Sequence, residues 1–100
     1  MEQGTVFLRE EIEVMKFEDG TWILYNPEKK EQEEPLVLNK SASDALNYAL
    51  EFGVTEGLQN YLEEVENEFS GTVVLQEAAE DFYYTLDICK TMGFVDIDKN

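Results

Sequence analysis

The chain has 100 residues, 43% of them hydrophobic and 12% aromatic, with 7 basic against 23 acidic side chains and a formal net charge of −16. That length suits a single domain with one core. The charge argues against nucleic acid or an anionic membrane surface as partner, because affinity for dense phosphate comes from Lys and Arg that displace counterions. A disordered acidic chain is the other usual reading of such a balance, but the aromatic content and a clear hydrophobic periodicity speak for a fold. The single cysteine cannot form an intramolecular disulfide, which fits a reducing compartment. No apolar run approaches the ~20 residues of a membrane span. The acidic start, MEQGTVFLREE, lacks the basic n-region and apolar h-region of a signal peptide. A cytoplasmic protein is expected.

Residues 1–11 hold one short apolar run, Val6-Phe7-Leu8, and are expected to form an N-terminal arm or an extra strand. Ile12 to Phe17 alternates at first, then switches parity at Met15 and Phe17, as at a bulge or in a strand covered on both faces. Glu18-Asp19-Gly20 is a hairpin turn, with Asp-Gly supplying positive φ. Thr21 to Asn26, rich in β-branched and aromatic residues, is the second strand and ends at Asn26-Pro27. The charged run Glu28 to Glu34 is a solvated loop. Pro35-Leu36-Val37-Leu38 is a third strand, with Pro35 tolerable at its start or on an edge.

After Asn39 the hydrophobic period changes from two to about 3.6. Ala42, Ala45, Leu46, Ala49 and Leu50 mark a first helix, capped by Asn39 or Ser41 and ended by Gly53. Thr55 caps a second, with Leu58, Tyr61, Leu62, Val65 and Phe69 on its buried face, and Ser70-Gly71 breaks it. The last helix begins with Thr72 as N-cap and closes at Gly93. One of its stripes is Leu75, Ala79, Phe82, Leu86 and Cys89; an adjacent one is Val74, Ala78, Thr85, Ile88 and Met92. The second stripe either covers the same core or lines a groove for something outside this chain. The expected architecture is α+β: a three-stranded antiparallel sheet followed by three helices, in one domain over residues 12–97, with 98–100 as a polar tail.

The chemistry of catalysis is thin. The chain has no histidine, which removes the commonest general base and metal ligand. Cys89 falls on the apolar face near a helix C-terminus, without the cationic neighbour or helix N-terminus that activates a thiol. Adjacent carboxylates such as Glu63-Glu64 are inevitable among 23 acids and are no evidence for acid–base work. Asp96 to Asn100 starts like a calcium loop but lacks its glycine and bidentate glutamate. The expectation is a protein that is not an enzyme and carries no cofactor or metal.

Order and spacing carry a resemblance. A hairpin strand ends in Leu24-Tyr25-Asn26. A short strand closes on Leu38-Asn39 and leads into a helix of small residues, Ala42 to Ala49. The last helix reads Asp81-Phe82, Leu86, Cys89 and then Gly93-Phe94-Val95. In this the chain from Ile12 to Ile97 resembles the PqqD family, small precursor-peptide recognition elements that serve the biosynthesis of ribosomally made, post-translationally modified peptides. It departs from the family's pattern at Cys89 and Leu46, where Leu and often Trp are usual, and in Tyr83-Tyr84 and its acidity.

The resemblance implies a winged-helix-like fold and a non-catalytic carrier. Such a carrier holds the leader of a precursor peptide and presents it to a modifying enzyme, often a radical SAM enzyme. It implies that the leader adds as a strand to the edge formed by Pro35, Leu36, Val37 and Leu38, beside the last helix. There Ala78, Asp81, Phe82 and Thr85, at i, i+3, i+4 and i+7, are expected to supply the groove wall. Glu63, Glu64, Glu66 and Glu68, the densest acidic run, are the expected docking surface for the enzyme. A monomer or weak homodimer is expected, since an open edge can also pair with its own copy. Two competing readings are an acidic decoy that mimics nucleic acid to block a DNA-binding protein, and a winged-helix DNA binder, which the charge disfavours.

Overall fold

The structure, a computed structural model, describes residues 4–28, 34–68 and 72–99. The expectations for Phe69, for the Ser70-Gly71 break, for most of the charged loop and for the side chains of Thr72 and Val74 lie outside the described residues. Five strands and two helices follow in the order β1 (Gly4–Leu8), β2 (Glu13–Lys16), β3 (Trp22–Tyr25), β4 (Leu36–Leu38), α1 (Lys40–Glu68), α2 (Thr72–Thr91) and β5 (Val95–Lys99). They build two antiparallel sheets, β1-β5 and β2-β3-β4. The winged-helix-like expectation of three strands and then three helices is therefore corrected on both counts.

The extra sheet comes from the chain ends. Val6 pairs with Ile97 and Leu8 with Val95, while Asp96 and Asp98 pair with Phe7 and Thr5. Alternation sends Val6 and Val95 inward, where both are buried. The same alternation leaves Phe7 on the outer parity, exposed and opposite Asp96. Asp98 and Lys99, which read as part of a polar tail, are thus the last two residues of a strand. Arg9 N–H donates to the Phe94 carbonyl at 3.1 Å and extends the ladder by one bond.

The β2–β3 hairpin turns through Glu18-Asp19-Gly20. Gly20 alone takes positive φ, 94°, so Asp19 serves differently from the expectation. Its Oδ1 accepts the Thr21 N–H at 2.9 Å, an Asx turn that holds its carboxyl below the usual carboxylate range. β3 is central: Leu24 pairs with Val14 and Leu36, and is fully buried.

Asn39 decides where α1 begins. Its side-chain oxygen accepts the Ala42 N–H at 2.9 Å, so it, rather than Ser41, is the N-cap. The Ser43 hydroxyl is buried and donates to the Leu38 carbonyl at 3.1 Å, tying the first turn to β4. The expected interruption at Gly53 is present: its φ of 85° and ψ of −175° are not helical, and α1 is two helical arms joined through this residue. A straight helix would separate Tyr48 from Gly57 by about 13 Å along the axis. Here a Cβ on Gly57 would come within 2.8 Å of the Tyr48 carbonyl and 3.0 Å of the Ala49 Cα. The two arms of α1 therefore fold sharply toward each other. Gly53 also lies against β1, where an added Cβ would meet the Gly4 carbonyl at 2.7 Å. Its backbone lies in a region essentially reserved for glycine. Gly53→Ala is expected to destabilise the fold by at least about 1–3 kcal/mol from backbone strain, before the clash is counted. Chemical denaturation would show it as a lower midpoint; an unchanged midpoint would mean that the bend relaxes freely.

α2 packs on α1 and closes with two bonds at its C-terminus. Phe94 N–H donates to the Cys89 carbonyl at 2.9 Å and Gly93 N–H to the Lys90 carbonyl at 3.0 Å. With Gly93 at φ 81°, this is a Schellman cap that aims Phe94 into the core and starts β5. Among the described residues no helix is long and apolar enough to cross a membrane. The buried cluster joins all layers: Val6 and Val95, Leu24 and Leu38, Ala45, Leu46 and Ala49, then Ala78, Phe82, Leu86 and Cys89.

Burial pushes the Cys89 thiol up from 9.0 to about 11. A thiol whose pKa is raised in the fold favours the folded state below its unfolded value and loses that contribution as pH climbs through the folded value. Stability is expected to fall between about pH 9 and 11, with a ceiling near 3 kcal/mol from the roughly two-unit shift. Cys89→Ala should flatten the profile in that window. At pH 8 the native protein should resist thiol labelling that the unfolded chain accepts at once. Rapid native labelling would place Cys89 at the surface.

Candidate functional site

β4 is the last strand of its sheet, and its second edge has no strand partner among the described residues. Within β4, Leu38 is buried while Val37 is 61% exposed. That pattern leaves an apolar side chain and the outward backbone groups of an edge strand available together, which is the arrangement proteins normally block. Asn39 and Ser43 anchor the chain immediately after β4.

Beside this edge lies a groove of about 310 Å³. One wall is Leu36, Val37 and Leu38. Asn39, Ser41 and Ala42, at the start of α1, border it, and Asp81, Tyr84, Thr85 and Ile88 of α2 form the opposite wall. Of the residues expected to bind a peptide, Leu36, Val37, Leu38, Asp81 and Thr85 meet here. Pro35 is exposed ahead of β4 and does not line the groove. Ala78 and Phe82 point elsewhere: they are 7% and 0% exposed and belong to the core.

Helix geometry explains the split. With about 100° per residue, Ala78, Phe82 and Cys89 fall within a narrow stripe that faces the core. Asp81 and Ile88 lie roughly a right angle away around the axis and Tyr84 about 140° away, while Thr85 sits on the border and is buried. The i, i+3, i+4, i+7 set spans both faces. Tyr84 was not among the expected site residues, although it is 66% exposed and one turn from both Asp81 and Ile88. The available signal was an aromatic on an outward stripe of an acidic helix. The sequence marks Asn39, Ser41 and Ala42 only as cap and helix residues.

Tyr61 packs the second arm of α1 onto the core face of α2. Its ring lies 5.7 Å from Phe82 and 6.3 Å from Tyr48 between centroids. Burial raises its hydroxyl pKa, and the Asp81 charge adds to that.

The four glutamates expected to dock an enzyme sit on the second arm of α1 but do not share one face. Glu64 and Glu68 border a cleft of about 240 Å³ with Lys40, Asp44 and Tyr61. Lys40 Nζ is 2.9 Å from Asp44 Oδ2, and this bond and charge, with smaller help from Glu68 and Glu64, hold its pKa above the usual lysine value. Tyr48 is likewise raised, by burial first and then by its bond to Glu64. Glu63 and Glu66 are exposed and do not border this cleft. Among the described residues no three His, Cys, Asp or Glu side chains gather as a metal site would require.

Comparison with family models, with curated proteins and with solved structures found no match to this chain.

Proposed function

We propose that this protein is a stand-alone, non-catalytic carrier that binds the leader of a ribosomally made precursor peptide. The leader pairs with β4, and the carrier presents it to a modifying enzyme, a radical SAM enzyme being one candidate, in the cytoplasm. The observation that carries the reading is the open edge of β4 running alongside a groove whose far wall is α2. An extended peptide would gain backbone bonds from the edge and side-chain burial from the groove, the two components of recognition by strand addition. Three or four added backbone bonds contribute about 1 kcal/mol each net. One or two apolar anchors add roughly 1.5–3 kcal/mol each, and ordering the peptide costs about 2–5 kcal/mol. The surplus suits a reversible carrier with a micromolar or somewhat lower Kd.

The test is an amide-shift titration with the leader encoded by a short reading frame beside a modifying-enzyme gene. Resonances of Leu36–Leu38 and of Asp81–Ile88 should move together. Shifts confined to the second arm of α1, Leu58 to Glu68, would overturn the placement. The net charge of −16 favours a second reading, an acidic decoy for a DNA-binding protein. Salt separates the two: a charge mimic loses its partner steeply with ionic strength, and strand addition much less.

A further inference from the structure

The groove has an uneven chemistry along its length. Among its lining residues Asp81 is the one ionisable carboxylate, and no Lys or Arg faces it. Asp81 is exposed, and the described structure shows no hydrogen bond or ion pair for its carboxylate. One turn on, at i+3, stands the exposed ring of Tyr84; at i+4 and i+7 come Thr85 and Ile88. The α2 wall therefore grades from an acid beside an aromatic ring to an apolar end.

A carboxylate and an aromatic face about one helical turn apart suit a guanidinium better than an ammonium. The planar fork can bond the carboxylate in two places while its face stacks on the ring, whereas an ammonium is a compact, strongly hydrated point charge. Spacing adds a register. Asp81 and Thr85 are about 6 Å apart along the helix axis. Same-face side chains of an extended peptide repeat at about 6.6–6.8 Å. In a peptide that runs along α2, a residue two positions from the basic one would thus lie over Thr85 and toward Ile88, where an apolar side chain is favoured.

We infer that the groove selects an extended peptide bearing an arginine at the Asp81–Tyr84 end and an apolar residue two positions away. This rests on the strand-addition reading above and specifies which peptide that site accepts. The overall charge would attract any basic peptide, so position and dependence on Asp81 are the discriminating readouts, not basicity alone.

The experiment is a selection from a displayed library of random ten-residue peptides against the intact protein, with the groove-filled variant Ala42→Trp as counter-selection. Binding of the resulting consensus peptide is then measured by fluorescence anisotropy. The consensus should carry Arg two positions from an apolar residue. Arg→Lys should weaken it several-fold and Arg→Glu at least tenfold. Asp81→Lys should invert the order, binding the Glu form better than the Arg form. Groove-dependent peptides without a basic residue would overturn the inference and leave strand addition standing, as would an arginine preference unchanged by Asp81→Lys. Recovery of no peptide that distinguishes the protein from Ala42→Trp would overturn both.

Discussion

Phe82→Ala is expected to destabilise the protein by about 3–5 kcal/mol, the usual cost of emptying a buried aromatic site. The ring is fully buried and stands between Tyr61 and Tyr83, at 5.7 and 5.8 Å between centroids. Deleting it removes both the transfer free energy of the ring and the contacts of its neighbours, since packed helices close such a cavity only in part. A domain of this size has in total about 5–15 kcal/mol of stability, so the variant should be partly unfolded or close to it at 37 °C. Urea denaturation is the measurement, and Tyr84→Ala is the comparison. Tyr84 is two residues along the same helix but exposed, and its loss should change stability by no more than about 0.5 kcal/mol. A Phe82→Ala protein of wild-type stability that no longer bound peptide would return Phe82 to the groove wall, where spacing alone had put it.

That pair of residues shows where sequence reasoning stops. The length of α2 and its end at Gly93 are written in local chemistry, because a Schellman cap needs a residue that accepts positive φ. The rotation of the helix about its axis is not local. Two adjacent stripes of α2 are both apolar, and packing buries residues of each, Phe82, Leu86 and Cys89 from one and Ala78 and Thr85 from the other. The edge residues Leu36 to Leu38 were legible because a short apolar run after a charged loop has few other uses. The β1–β5 sheet was not, because each strand finds its partner at the opposite end of the chain, and Asp96 and Asp98 disguise the alternation that buries Val95. Gly53 was legible as an interruption between two helical arms, but not as a bend pressed onto Gly4. The glutamates of α1 were legible as charge. Their division between the Lys40 cleft and open solvent depends on how the two arms fold together.

Ala42→Trp should weaken peptide binding about ten- to hundredfold while leaving the fold intact. Ala42 borders the groove from the first turn of α1 and is only partly buried, so an indole there has open space to enter, unlike one at the buried Ala78. The cap is not disturbed, since Asn39 bonds the backbone N–H of residue 42 and not its side chain. The indole would occupy the volume that an apolar peptide side chain needs, and one lost anchor is worth roughly 1.5–3 kcal/mol, which is the stated factor in affinity. The backbone bonds to β4 would survive in part, which sets the upper limit on the loss. Titration of the variant with a leader peptide, alongside a thermal melt, reads both quantities. Wild-type affinity in a variant that melts normally would show that the peptide does not enter between β4 and α2. The open edge of β4 would then be left without the groove as its partner in recognition. Loss of binding with an unchanged melt would tie the two walls into one site, because Ala42 belongs to neither and touches the space between them.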